Sequence, residues 1–237
     1  MERRPFDSKR IGVSLMNYKK FYPWKVGVKE AIKIQQDLRR RVILKNTVYS
    51  LRLIAGVDVG FFDNRAKAVV CVFGYPELKL IELKTAYKDI DFPYLPGLLS
   101  FREGPVILAA FKKIKNIPDV ILFDGQGICH PRRIGLASHL GLILDTAAIG
   151  CTKNIFFGRF DMPKEKRASF SYIYDKENKE ILGVALRTRS KVKPIFISPG
   201  FKINLEKSKE IVLKLCKGFR IPEPLRIAHH FTKNAAV

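Results

Sequence analysis

The sequence predicts an α/β fold in which a mixed β-sheet is flanked by helices. Three observations lead there. Three strand-like runs follow one another without a helical run between them, strand-like and helical runs then alternate, and 47% hydrophobic content over 237 residues is enough to bury one substantial core.

Residues 1–27 are irregular, with Arg3, Arg4, Lys9, Arg10, Lys19 and Lys20 interleaved among Tyr18, Phe21, Tyr22 and Trp24. They read as a basic N-terminal extension to a single domain spanning 28–237. Over residues 28–44, Val28, Ala31, Ile32, Leu38 and Val42 recur at roughly helical spacing, which predicts a helix with one basic face. Residues 51–62 (LRLIAGVDVGFF) form an apolar run suited to a central strand buried on both faces. Runs at 67–74 and 78–87, separated by Tyr75-Pro76-Glu77, suit an antiparallel connection and complete a three-stranded meander.

Residues 88–102 contain Pro93, Pro96 and Gly97 and predict a loop, because proline removes a ladder donor and keeps its predecessor extended. A helix is expected over 105–115, with Ile107, Ala110, Phe111 and Ile114 on one face. A buried strand follows over 119–123, then a helix over 134–145 and a short strand over 147–151. This alternation implies parallel pairing through right-handed crossovers. A meander followed by such units is the ribonuclease-H-like order. Past a basic linker at 156–167, runs at 169–174 and 181–187 flank Asp175-Lys176-Glu177-Asn178 as a hairpin, and 195–198 offers another strand. An amphipathic helix over 204–217 is stopped by Gly218, and Pro222 and Pro224 introduce a last helix carrying His229 and His230.

Lys and Arg total 44 against 22 Asp and Glu, a formal charge of +22. Such an excess favours a polyanionic partner, nucleic acid foremost, over a merely solvated surface or a ribosome-associated role. No run of eighteen apolar residues occurs and the first ten residues lack a signal-peptide core, so a soluble, cytoplasmic protein with no membrane partner is expected. The four cysteines form no CxxC pair and the four histidines no HExxH spacing. Any metal must therefore be held mainly by oxygen.

Three carboxylates stand out. Asp58 lies inside an apolar strand, where it either answers a cation or bonds a nearby turn helped by Gly60. Asp124 follows the apolar run 120–123, at the carboxyl end of a parallel strand where open sheets place ligands, although a DGxG turn can also be only a turn. Glu103 has a competing reading, since Ser100-Phe101-Arg102-Glu103 fits a capping box. That start would put Pro105 at the fifth helical position, so the helix is expected to begin at Gly104 and Pro105 and leave Glu103 free at its mouth. Three acids converging on one sheet edge suit Mg²⁺ and phosphodiester hydrolysis. His130, Arg132 and Lys153 would lie along that edge as phosphate contacts, or as solvated basic residues.

The segments GVDVGF, PYLPGLLSFREGP, FDGQGICHPRRIGLASHLG, IGCTKN and RIPEPLRIAHHFT resemble, in order, the motifs of endonuclease V, over roughly residues 29–232. The resemblance implies a ribonuclease-H-like fold, a requirement for Mg²⁺ with Mn²⁺ as substitute, and a DNA repair endonuclease acting at deoxyinosine, the deamination product of adenine. It implies cutting at the second phosphodiester bond 3′ to the lesion, with 3′-hydroxyl and 5′-phosphate ends. By motif, Asp58, Glu103 and Asp124 would bind metal, His229 would complete the catalytic group, and Lys153 would contact the reacting phosphate. Pro93, Tyr94, Leu95 and Pro96 resemble the family's wedge. Gly97, Leu99, Gly125, Gly127, Gly135 and Leu136 would form the pocket for an extruded base. Phe201 departs from the family pattern, standing where many members have histidine. Two other readings are an inosine-specific endoribonuclease acting on RNA and a catalytically silent nucleic-acid-binding domain; the intact acid set argues against the second. The protein is expected to act as a monomer.

Overall fold

The computed structural model describes residues 16, 18–177 and 179–233. Arg3, Arg4, Lys9 and Arg10 of the basic segment, and Asn178 of the hairpin turn, lie outside the described residues. The chain runs α1 (Val28–Leu38), β1 (Leu53–Phe62), β2 (Arg65–Gly74), β3 (Lys79–Asp89), α2 (Leu99–Phe111), β4 (Val120–Phe123), α3 (Leu136–Leu144), β5 (Ala147–Thr152), β6 (Phe170–Tyr174), β7 (Ile181–Leu186), β8 (Ile195–Phe201), α4 (Leu205–Leu215) and α5 (Glu223–Lys233).

The strands form one sheet in the order β3-β2-β1-β4-β5-β8-β7-β6. The meander β1-β2-β3 is antiparallel, β4 pairs parallel to both β1 and β5, and β5-β8-β7-β6 is antiparallel again. This is the ribonuclease-H-like arrangement the sequence predicts. Each parallel connection crosses the sheet through a helix, α2 before β4 and α3 before β5.

Alternation along β1 sorts the two faces. Ala55 and Val57 join α2 and α3 in one core, with Val106, Phe111 and Leu140. Ile54 joins α4 and α5 in the other, with Ile211, Leu225 and Ala228. The sheet is therefore buried on both faces at its centre, which is why β1 and β4 read as continuous apolar runs.

Two expectations change. The first helix ends at Leu38 and passes into a 3₁₀ turn, Arg39–Arg41, rather than continuing to residue 44. All three arginines are exposed, and no apolar side chain there holds the helix to the core. The second helix begins at Leu99, not at Gly104, so Pro105 sits inside it and Glu103 is in its second turn instead of at its mouth. Burial decides this: Leu98 and Phe101 pack with Ala31 and Phe92, drawing the helix start back into an apolar cluster. The apolar burial outweighs the one ladder bond that Pro105 cannot make. Ser100 makes no capping box either, because its hydroxyl is hydrogen-bonded to His139 Nδ1 at 2.8 Å.

The described part of the N-terminal segment is built into the fold. Lys19 N–H donates to the Ile143 carbonyl at 2.8 Å. Trp24 lies so close over α2 that a Cβ on Gly104 would fall 2.5 Å from its ring.

Candidate active site

Parallel pairing of β1 with β4 ends at Val57 and Phe123, and Asp124 N–H donates to the Val57 carbonyl at 3.2 Å. Asp58 and Asp124 are thus the first residues beyond the last pair. Neighbouring strands run about 4.8 Å apart, so two carboxylates are delivered side by side to the carboxyl edge of the sheet. The even positions of β1 that place Asp58 also place Gly56, where a Cβ would lie 2.2 Å from the Pro224 carbonyl oxygen. Only glycine lets α5 come this close.

That approach brings α5 onto Asp58. His229 Nδ1 is 2.7 Å from Asp58 Oδ2, and the Thr232 hydroxyl is 3.1 Å from the same oxygen. Both partners share Oδ2, so the carboxylate is locked in orientation with Oδ1 left over for another partner.

Glu103 reaches the same place from α2, on the other face of the sheet. It is 8% exposed, and none of the described residues donates a hydrogen bond to it. Burial first, and then the charges of Asp58 and Asp124, hold its carboxyl well above the usual range. Burial and Asp58 also raise Asp124, against the opposing pull of Lys153 and His229. Lys153 Nζ stands 3.7 Å from Asp124 Oδ2, and its backbone carbonyl accepts from Arg220 Nη2 at 2.8 Å. Three hard oxygen donors whose charges oppose one another are a donor set that a divalent cation would relieve. As the side chains stand, no group of three acids, histidines or cysteines among the described residues has ligating spacing.

Beside these acids opens a cleft of about 200 Å³. Its walls include Tyr94, Leu95, Pro96, Gly97 and Leu99 with His130 against Gly97, Asp124 and Gly125 at the rim, and Gly135 and Leu136. Nearly all the residues expected in wedge and pocket therefore converge on one space. Tyr94 is 68% exposed at its lip. Pro93, Gly127 and Arg132 are not among its walls. Gly127 serves the turn itself, with its N–H donating to Ser198 Oγ at 2.8 Å and a Cβ excluded by the Pro199 carbonyl at 2.2 Å. Phe201 is a core residue packed beneath α3.

The basic side chains in and behind this wall are already engaged. The Gly97 carbonyl accepts from Gln35 Nε2 at 3.0 Å and from Arg132 Nη2 at 2.8 Å, and lies 3.0 Å from His130 Nε2. Gln35 Oε1 in turn accepts from Arg132 Nε at 2.6 Å. His130 is buried, and burial together with Arg132 pushes its pKa down to about 4, so its ring is neutral near pH 7. Instead of facing solvent as phosphate contacts, His130 and Arg132 brace the backbone just after Pro96.

Sequence reasoning missed Thr232, Gln35, Ser100, Phe156 and Arg220. Thr232 was readable as the residue one turn after His229 on the same face of a helix. Gln35 was readable as a polar residue inside the stripe Ala31, Gln35, Leu38. Phe156, which lines the cleft, and Arg220 lie in irregular segments and give no local signal.

The comparisons with known proteins bear on the same residues. A family model for endonuclease V matches residues 36–230. Endonuclease V of Dictyoglomus turgidum is 46% identical over 215 residues, covering 91% of this chain and 93% of that one. The solved structure of endonuclease V from Bacillus subtilis superposes with a TM-score of 0.87 at 31% identity, covering 92% of this chain and 96% of that one. Ciona intestinalis endonuclease V, solved in complex with a 24mer DNA containing an inosine followed by a ribo-adenosine, gives a TM-score of 0.75 at 30% identity over 87% of this chain and 96% of that one. The strands, the acids and every residue lining the cleft except Gln35 fall inside the matched region, and the chain belongs to the endonuclease V family.

Proposed function

We propose that the protein is a metal-dependent DNA repair endonuclease that recognises deoxyinosine and hydrolyses the second phosphodiester bond on its 3′ side, leaving 3′-hydroxyl and 5′-phosphate ends. One observation carries this reading: Asp124 belongs both to the group of acids and to the rim of the cleft. A base held in the cleft therefore lies beside the group that cuts. The formal charge of +22 suits the polyanion, and the Ciona relative was solved with inosine-containing DNA.

Asp58, Glu103 and Asp124 would hold the ion, Mg²⁺ or Mn²⁺. When bound, it supplies an activated water and neutralises charge on the leaving oxygen. His229 fixes Asp58 and presents its ring to the same edge. Lys153, 41% exposed, offers its ammonium to the scissile phosphate while Asp124 holds it in place. Tyr94 fills the gap left by the extruded base, restoring part of the stacking lost. The cleft walls enclose the base itself.

The test is incubation with end-labelled duplex DNA carrying one deoxyinosine, with and without Mg²⁺, resolving product length. A product ending one nucleotide 3′ of the lesion, formed only with the metal, is expected. Cutting of unmodified duplex at equal rate would sink the reading. A ribonucleotide follows the inosine in the DNA bound by the Ciona relative, which supports a second reading in which inosine-containing RNA is the substrate. Matched DNA and RNA strands cut side by side separate the two.

A further inference from the structure

Behind the cleft runs a buried polar chain that none of the proposed cutting chemistry uses. The Tyr22 hydroxyl is hydrogen-bonded to His139 Nε2, and His139 Nδ1 lies 2.8 Å from Ser100 Oγ. Ser100 lines the cleft together with Gly125 and Leu136. His139 is fully enclosed, with the rings of Tyr22, Trp24 and Phe101 around it at 5.3–5.9 Å between centroids. Burial pushes its pKa down to about 3. A neutral imidazole carries one N–H and one acceptor, so the chain can point only one way at a time.

Two directions exist. In one, Tyr22 donates to Nε2 and Nδ1–H donates to Ser100, which leaves the serine proton for the cleft. In the other, Ser100 donates to Nδ1 and Nε2–H donates to Tyr22, which leaves the phenol proton without a described acceptor among aromatic rings. A phenol is the stronger donor and an aliphatic hydroxyl the better acceptor, so the first direction puts each group in its better role. It also leaves the spare proton on Ser100, which lines the cleft, where a ligand would supply the missing acceptor.

We propose that Ser100 is a specificity residue: its O–H, aimed into the cleft by Tyr22 and His139, donates to a carbonyl oxygen on the ring of the extruded purine. This rests on the reading of the cleft as a base pocket. Deamination of adenine replaces an amino donor by such a carbonyl, so a fixed O–H donor favours the deaminated base. Tyr22, from a segment that the sequence presents as an appendage, thereby acts as a positioning residue for base selection.

The test compares wild type, Ser100→Ala and Tyr22→Phe on duplexes carrying either deoxyinosine or a purine deoxyriboside with hydrogen in place of the carbonyl. Preference is read as the ratio of kcat/KM for the two, and melting temperatures are recorded alongside. Loss of one neutral hydrogen bond lowers that ratio roughly tenfold in Ser100→Ala. Tyr22→Phe frees the ring to reverse and lowers the ratio in the same direction, by less. Independently of activity, nitrogen-15 spectra of labelled histidine are expected to show the proton of His139 on Nδ1. A ratio unchanged in Ser100→Ala, or a proton on Nε2, overturns the proposal while a wild-type preference for deoxyinosine keeps the pocket reading. A wild type without that preference overturns both.

Discussion

The rim that carries Asp58, Glu103 and Asp124 and the wall that carries Gly97 are a few residues apart, yet they settle their charges in opposite ways. Around Gly97, the basic and amide groups already have an internal acceptor: Arg132, His130 and Gln35 converge on one carbonyl. In the rim, Glu103 is buried without a described donor, and the charge of Asp58 raises both it and Asp124. The bracing around Gly97 is complete by itself, whereas the rim has an unmet demand for positive charge. A basic residue beside a nucleic-acid site is thus not by that fact a phosphate contact; what its nitrogens already hold decides.

The largest effect should come from the rim. Asp124→Asn is expected to retain lesion binding in a gel-shift assay and to lose cutting by about 10³-fold or more, as when several kcal/mol of charge stabilisation is removed. Near-normal Mg²⁺-dependent nicking by this variant would end the metal assignment.

The wall should be the part that acid breaks. His130 and His139 titrate at about 4 and about 3 in the fold, below the value near 6.5 expected for the unfolded chain. Their contribution to stability is therefore fully present above pH 6.5 and is lost as the pH falls toward 4, because the unfolded chain takes up protons the fold refuses. Each histidine weakens the fold by about 1.4 kcal/mol per pH unit in that window. Urea unfolding at pH 7, 6 and 5 measures the slope, and a flat profile would mean that the rings are protonated in place.

Arg132→Ala removes two donors from Gln35 and Gly97 and should destabilise the fold by about 1–3 kcal/mol, the usual penalty for leaving buried acceptors short. Recovery of wild-type stability in low salt would point to a plain surface charge instead. Smallest in free energy is Tyr94→Ala. With its ring exposed, melting should be unchanged, while recognition of lesion duplex weakens by roughly tenfold, the worth of one base–aromatic stack. Single-stranded substrate, with no partner strand to hold apart, should suffer less; equal losses on both would make Tyr94 a pocket residue.

Legibility from sequence followed the same division. The rim could be read because strand patterns are local: an apolar run, then an acid, twice over, with parallel pairing implied by the helices between. Its third acid was expected at the mouth of a helix and lies instead in the second turn. Proline is a strong local signal, and here the burial of Leu98 and Phe101 overrode it. The wall was hidden for a different reason. Its bonds join Gln35 to Gly97 and Arg132, and Tyr22 to His139, across 62 to 117 residues, and no local periodicity records such partners. Histidines and arginines close to a DGQG turn invite a reading as ligand contacts when their chain neighbours are all that is visible.

Asp58 and His229 lie 171 residues apart, and their bond depends on α5 settling over Gly56. During synthesis β1 emerges long before α5 exists. A partly made chain can thus hold Asp58, Glu103 and Asp124 on their strands and helix and still lack both the imidazole and the threonine that orient the first of them. The pairing also closes a loop of almost the whole domain, a contact of high sequence separation of the kind that forms late. Cutting competence then arrives with one of the last long-range contacts, and local opening of α5 in the finished protein would switch it off before the sheet itself comes apart.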